Sequence, residues 1–81
     1  MEILKFSAEW CQPCRDLKML LDRMEIYPTE YDIDMSPEFV ASFGIRSVPT
    51  LVAVDETSGE VLGVLTGQIT EARITQWLDN I

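Results

Sequence analysis

Two cysteines stand at the junction between an apolar run and an amphipathic pattern, and the chain has no others. The run Ile3-Leu4-Lys5-Phe6 is typical of a short strand. Beyond the cysteines, apolar residues recur at the i, i+3, i+4 and i+7 spacing of a helix that we expect from about Gln12 to Met24. Pro13 suits its first turn, where the missing N–H has no helical partner. The chain must therefore pass from strand to helix at Cys11 and Cys14, which places both thiols at the start of a helix.

Three more strand-like runs follow at 29–33, 50–54 and 60–65, separated by turn residues or helical patterns. The predicted order is βαβαββα. A helical crossover between the first two strands implies that they are parallel, whereas the last two form an antiparallel hairpin. We therefore expect an α/β fold with a four-stranded mixed sheet and helices on both faces, in one domain over residues 1–81.

The two later helices carry start and stop signals. Ser36 is expected to cap a helix that begins at Pro37 and that Gly44 ends. Thr70 is expected to cap the last helix. The predicted apolar face of that helix consists of Ile74, Trp77, Leu78 and Ile81, and its spacing assigns Trp77 to the core.

Charge and composition narrow the possible partners. The net charge is -8 over 81 residues, so the surface repels phosphates and nucleic acid is not an expected ligand. No apolar run reaches membrane-spanning length, and the N-terminal residues do not have the pattern of a secretory leader. Two closely spaced cysteines in such a chain favour a reducing cytoplasm and a reactive thiol pair.

The cysteine pair by itself is compatible with three kinds of site. A zinc ion needs four ligands, and with no histidine and no further cysteine the chain supplies only half of the common site, which leaves a site shared across a dimer open. A structural disulfide in so short a ring restricts the unfolded chain little. Redox chemistry agrees best with a position after a strand and at a helix start. In that case Cys11, at the helix N-terminus, is the expected nucleophile, and Cys14 is the more shielded, resolving thiol.

Several segments together resemble the thioredoxin family. The stretch from Ile3 through Trp10-Cys11-Gln12-Pro13-Cys14 is similar to its active-site strand and loop. Matches continue in the same order through Tyr31-Asp32-Ile33-Asp34, Phe43-Gly44-Ile45-Arg46-Ser47-Val48-Pro49-Thr50-Leu51 and Thr66-Gly67-Gln68-Ile69.

This resemblance implies a thioredoxin fold and a dithiol–disulfide oxidoreductase that reduces protein disulfides without a metal or organic cofactor. It implies that Pro49 is cis beside the cysteines and that the Val48 backbone pairs with a substrate chain. Trp10, Val48, Pro49 and Gly67 would form the apolar contact surface, although simple packing is an alternative for Trp10. Electrons would come from a flavoprotein reductase or from glutathione, and we expect a cytoplasmic monomer.

The chain also departs from the family pattern. The strand and helix that thioredoxins place before the active-site strand have no counterpart, so the length is closer to that of glutaredoxin. Gln12 replaces the common glycine between the cysteines. Lys5 stands where thioredoxins have a buried acid, and Glu30 stands at the matching lysine. The pair therefore has reversed charges, and we expect Lys5 and Glu30 to lie side by side, buried beneath Cys14. Lys5 would then favour the thiolate electrostatically, and Glu30 is the more plausible proton acceptor. The alternative for Lys5 is a solvated residue on a sheet edge.

Two alternatives to a thioredoxin-like reductase remain at this point. One is a glutaredoxin-like enzyme that uses glutathione directly. The other is a non-catalytic binding module that keeps the fold as a docking surface, against which the intact cysteine pair argues.

Overall fold

The computed structural model describes residues 1–81 and contains the predicted seven elements in the predicted order. Where the sequence predicted the end of a helix or strand, the observed end lies within one residue of it. The elements are strand β1 (Glu2–Ser7), helix α1 (Gln12–Arg23), strand β2 (Thr29–Asp32), helix α2 (Pro37–Phe43), strands β3 (Thr50–Val54) and β4 (Val61–Leu65), and helix α3 (Glu71–Asn80).

Strand β1 lies inside the sheet, whose strand order is β2-β1-β3-β4. It pairs parallel with β2 and antiparallel with β3, and β3 pairs antiparallel with β4. The predicted parallel crossover and the predicted hairpin are therefore both confirmed. Because β1 is central, the loop that follows it leaves the sheet at its middle and carries the cysteines there.

Helices cover both faces of the sheet, as predicted. Helices α1 and α3 bury one face, and α2 packs against the other. The core of the first face consists of Leu17, Leu21, Leu51, Leu65 and Ile74, and that of the second of Leu4, Phe6, Val52 and Val54. The longest helix has 12 residues, too few to cross a bilayer.

The predicted helix ends are confirmed at two positions and wrong at a third. The Thr70 side chain accepts the N–H of Arg73 at 3.2 Å and caps α3. Gly44 ends α2 in the left-handed region at φ 64°. Ser36 precedes α2 but its hydroxyl makes no capping hydrogen bond. Its backbone, at φ -133° and ψ 54°, lies outside the extended conformation from which a capping side chain reaches the helix amides.

Gly63 in β4 lets the ring of Trp77 approach the sheet. A Cβ at this position would lie 2.9 Å from Nε1 of Trp77 and 2.8 Å from Cγ2 of Ile81. Trp77 packs beside the α1–α3 core as predicted, and its Nε1 is buried without a hydrogen-bond partner. No sequence pattern signals this requirement for glycine.

We expect Gly63→Ala to lower the free energy of unfolding by about 1–3 kcal/mol, because both the rigid indole of Trp77 and the side chain of Ile81 must move to admit the methyl group. Urea denaturation measures the loss. In a Trp77→Leu background the same substitution should cost less, since the larger and more rigid of the two obstructing side chains is gone. An equal cost in both backgrounds would contradict the proposed contact.

Candidate active site

Cys11 and Cys14 form a disulfide at the start of α1, with their Cα atoms 5.3 Å apart. Cys11 is the N-cap residue, and its Sγ accepts the backbone N–H of Cys14 at 3.2 Å. A sulfur thus takes the position that a serine or aspartate oxygen usually occupies at a helix start. In the reduced protein, this N–H and the positive end of the helix favour a Cys11 thiolate.

Both sulfurs lie in a small apolar cluster. Cys11 is 5% exposed and Cys14 is 3% exposed, and they pack with Ala8 and Val48. Cys14 is thus the less exposed of the two in the disulfide form, as expected, but the difference is small. The two sulfurs differ instead in position, because Cys11 stands outside the helix as its cap and Cys14 stands within the first turn.

Trp10 lies on the surface beside the cysteines, with 68% of the residue exposed. Packing in the core is thereby ruled out as its role. Its Nε1 donates to Oδ2 of Asp34 at 3.0 Å, which holds the ring against the end of β2. The sequence analysis missed this role of Asp34, because 24 positions separate the partners and no local pattern connects them.

The Val48–Pro49 peptide bond is cis, as the resemblance implied. Val48 contacts the cysteine cluster, and Pro49 is buried. Pro49 and Gly67 also line a groove together with Pro13, Leu17 and Leu20 of α1. Three segments far apart in the sequence thus meet beside the disulfide.

Two polar side chains brace the cysteine loop. Gln12 Nε2 donates to Oδ1 of Asp16 at 3.0 Å, which directs the Gln12 side chain along α1. Arg15 Nη2 donates to the carbonyl oxygen of Glu9, on the other side of the cysteines. Arg15 was not singled out from the sequence, since an exposed arginine in a helix carries no signal of such a contact.

Lys5 and Glu30 are cross-strand neighbours in the parallel β1–β2 pair. Lys5 Nζ lies 2.9 Å from Oε1 of Glu30, so the expected contact is present. The expectation of a fully buried pair is wrong, because the side chain of Lys5 is 3% exposed and that of Glu30 is 49% exposed. Glu30 lies on an edge strand, where the sheet does not cover it. Both residues border a cleft of about 150 Å³ that Cys14 also lines.

The structure contains no group of three or more histidine, cysteine, aspartate or glutamate side chains arranged to hold a metal ion. The site brings together the two sulfurs, the backbone amides at the helix start and the Lys5–Glu30 pair.

A helix-capping cysteine, bonded to a second cysteine one turn on and lying beside a cis-proline, defines a dithiol–disulfide redox domain. The family model described as Thioredoxin matches residues 1–80. A thioredoxin of Rickettsia bellii is 29% identical over 96% of this chain and 78% of its own length, and one of Rhodospirillum rubrum is 26% identical over 91% and 75%. The chain belongs to the thioredoxin family and is a thiol–disulfide oxidoreductase.

Solved structures agree with the fold. A mutant thioredoxin from Halobacterium salinarum superposes with a TM-score of 0.80 at 24% identity, covering 96% of this chain and 72% of that one. Thioredoxin NaTrxh from Nicotiana alata also gives 0.80, at 19% identity, covering 96% and 70%. The predicted thioredoxin fold is therefore confirmed.

The unequal burial of Lys5 and Glu30 predicts unequal costs of removing them. Glu30→Ala leaves a buried ammonium without a partner and should cost about 1–2 kcal/mol of unfolding free energy, less than for a fully buried pair. Lys5→Met removes the buried charge, keeps an apolar side chain and leaves Glu30 hydrated, so its cost should stay below about 1 kcal/mol. Denaturant unfolding of both variants tests this order.

The exposed Lys18–Asp22 pair of α1 provides the control, since both of its side chains are more than half exposed. Asp22→Ala should change stability by less than about 0.5 kcal/mol. A larger loss from Lys5→Met than from Glu30→Ala would refute the assignment of the buried charge to Lys5.

Proposed function

We propose that this protein reduces disulfides of other proteins, with Cys11 as the attacking thiolate and Cys14 as the resolving thiol. The observation that carries the proposal is the hydrogen bond from the Cys14 N–H to Cys11 Sγ at the first turn of α1. It gives the capping sulfur a donor that favours its anionic form, and the thiolate is the nucleophile in disulfide exchange.

The reaction balances as two exchange steps. The Cys11 thiolate attacks one sulfur of the substrate disulfide, and the other substrate sulfur leaves as a thiolate that takes up a proton. Cys14 then loses its proton and attacks Cys11 Sγ, which releases the second substrate thiol and forms the Cys11–Cys14 disulfide. The substrate has gained two electrons from the thiol pair and two protons, one that Cys14 gave up and one from solvent in place of the proton that Cys11 had already lost. An external reductant restores the dithiol.

Substrate docking is assigned to the surface around the disulfide. The backbone of Val48 would pair with an extended substrate segment, as an added strand does. Pro49 and Gly67, which share a groove with Pro13, would flank that segment on one side. Trp10 supplies a large exposed ring of the kind that anchors protein interfaces.

The electron donor is proposed to be a flavoprotein reductase. Glutathione carries two carboxylates, which a surface with a net charge of -8 disfavours. At the start of α3, Glu71 adds a further negative charge, and the Thr70 side chain already accepts the backbone N–H of Arg73. Both features make this helix start less suited to bind a carboxylate of glutathione. The proposal further includes a monomer that works in the reducing cytoplasm, because the dithiol form must persist between turnovers.

Glu30 is proposed to accept the proton of Cys14, and Lys5 to orient its carboxylate. The shared cleft supports this role, because it joins Glu30 to the resolving sulfur and is wide enough to admit water. The 2.9 Å contact with the buried ammonium limits the positions that the carboxylate can take. Asp32 borders the same cleft and is the competing acceptor.

Substitution of each cysteine by serine should separate the two steps of the reaction. Cys11→Ser should abolish reduction of insulin disulfides, because an alcohol does not replace the thiolate. In the Cys14→Ser variant, Cys11 should still attack the substrate but stay joined to it, since no second thiol is present to release the mixed disulfide. Mass spectrometry of non-reduced samples would detect that adduct. The assigned roles would be refuted if the Cys11→Ser variant reduced insulin. They would also be refuted if the mixed disulfide accumulated in the Cys11→Ser variant and not in the Cys14→Ser variant.

Glu30→Gln should slow the release of substrate from the mixed disulfide. We expect the release rate to fall about tenfold. This is less than the roughly hundredfold or greater loss typical of a general base shielded from solvent, because water also reaches this half-exposed position and can take the proton. Rapid acid quenching of a single turnover measures release apart from attack. Glu38→Gln, an exposed acid on α2, should leave the release rate unchanged. Slow release in Asp32→Asn with a normal rate in Glu30→Gln would transfer the role to Asp32.

A further inference from the structure

Arg73 binds the backbone on both sides of Gly67. Its Nη1 donates to the carbonyl oxygen of Thr66 at 2.9 Å and also to the carbonyl oxygen of Gln68. Nothing in the resemblance to thioredoxins or in the proposed chemistry assigns this side chain a role. We infer that Arg73 is a positioning residue, which holds the Gly67 turn in the shape that protein substrates meet.

The turn needs such a donor because of its backbone geometry. Gly67 has φ +82°, a conformation that residues with a side chain rarely adopt. In this conformation the carbonyl oxygens of Thr66 and Gln68 both lie within reach of one nitrogen. Two carbonyl dipoles directed at one point repel each other, and a guanidinium nitrogen between them satisfies both at once.

Arg73 is itself fixed to the core through α3. Its backbone N–H is bound by the capping Thr70, and the next residue, Ile74, is 1% exposed in the α1–α3 core. The side chain therefore extends from a rigid helix start back to an exposed turn. This links the position of the turn to that of the core.

The turn that Arg73 holds forms one wall of the groove beside the disulfide. Gly67, Gln68 and Ile69 lie along a groove of about 430 Å³ that Pro13, Leu17, Leu20 and Pro49 also line. A wall that is ordered before binding spares the substrate the entropy cost of ordering it. The inference rests on the proposed function, since the turn affects turnover only if substrates dock at this groove.

The inference is tested by the steady-state kinetics of insulin reduction, with dithiothreitol returning the oxidised protein to its dithiol form. Arg73→Met keeps the length of the side chain but removes the donors and the charge. We expect it to raise the KM for insulin about fivefold, in line with the loss of one or two exposed hydrogen bonds, with kcat unchanged. The rate with hydroxyethyl disulfide, which is too small to span the groove, should stay the same.

Two further variants separate positioning from charge. Arg73→Lys keeps a nitrogen with several N–H donors and should return the KM for insulin to within about twofold of the wild-type value. Lys18→Met removes an equal charge from the exposed face of α1 and should leave the KM unchanged. Equal values of KM in the Arg73→Lys and Arg73→Met variants, or an equal rise in Lys18→Met, would overturn the inference.

The order of the turn can be measured without any turnover. NMR relaxation of the oxidised protein should give backbone order parameters of about 0.85 for residues 67 and 68, falling below about 0.6 in Arg73→Met while those of α3 stay high. Unchanged order parameters would overturn the inference even if insulin is reduced normally. If the order falls as expected but the wild-type protein does not reduce insulin, the proposed function is wrong and the structural role of Arg73 stands.

Discussion

The packing of helix α1 against the middle of the sheet is the interaction on which the rest of this structure depends. Leu17 and Leu21 bury one face of the helix against Leu51 of β3. Because the helix begins only a few residues after the central strand β1, this packing sets where its first turn lies. Cys11 then serves at once as the cap of the helix and as one half of the disulfide. The stability of the core and the reactivity of the thiol pair thus share a single element.

A buried cation in β1 is the main energetic cost of this arrangement, because the ammonium of Lys5 is removed from water. Lys5 occupies the face of the central strand that α1 covers, and only 3% of its side chain is exposed. A lone ammonium there would be costly, so Glu30 on the neighbouring strand is needed as a partner. The edge position of β2 leaves that carboxylate half in water. This difference in exposure, together with the 2.9 Å contact to Lys5, is the ground on which Glu30 is proposed as the proton acceptor of Cys14.

The surface around the disulfide is assembled from segments that have little structure of their own. The Val48–Pro49 bond, the Gly67 turn and the loop before α1 meet because β1 ends, β3 begins and β4 ends at the same edge of the sheet. Two of these segments are held by a polar contact with a side chain outside the segment. Asp34 binds Trp10, and Arg73 binds the carbonyls around Gly67. These contacts turn exposed loops into a surface with a defined shape.

Periodicity and local signals in the sequence determined the element order, the mixed sheet, the caps at Thr70 and Gly44 and the position of the cysteines at a helix start. These features depend on residues close together in the chain, whose spacing reports them directly. Only the tertiary structure decided the half-exposed state of Glu30, the Trp10–Asp34 bond, the need for glycine at position 63 and the hold of Arg73 on the Gly67 turn. The first three depend on how distant segments pack. In the fourth the partners are near in sequence, but the contact forms only because α3 docks on the core and turns Arg73 back towards the loop.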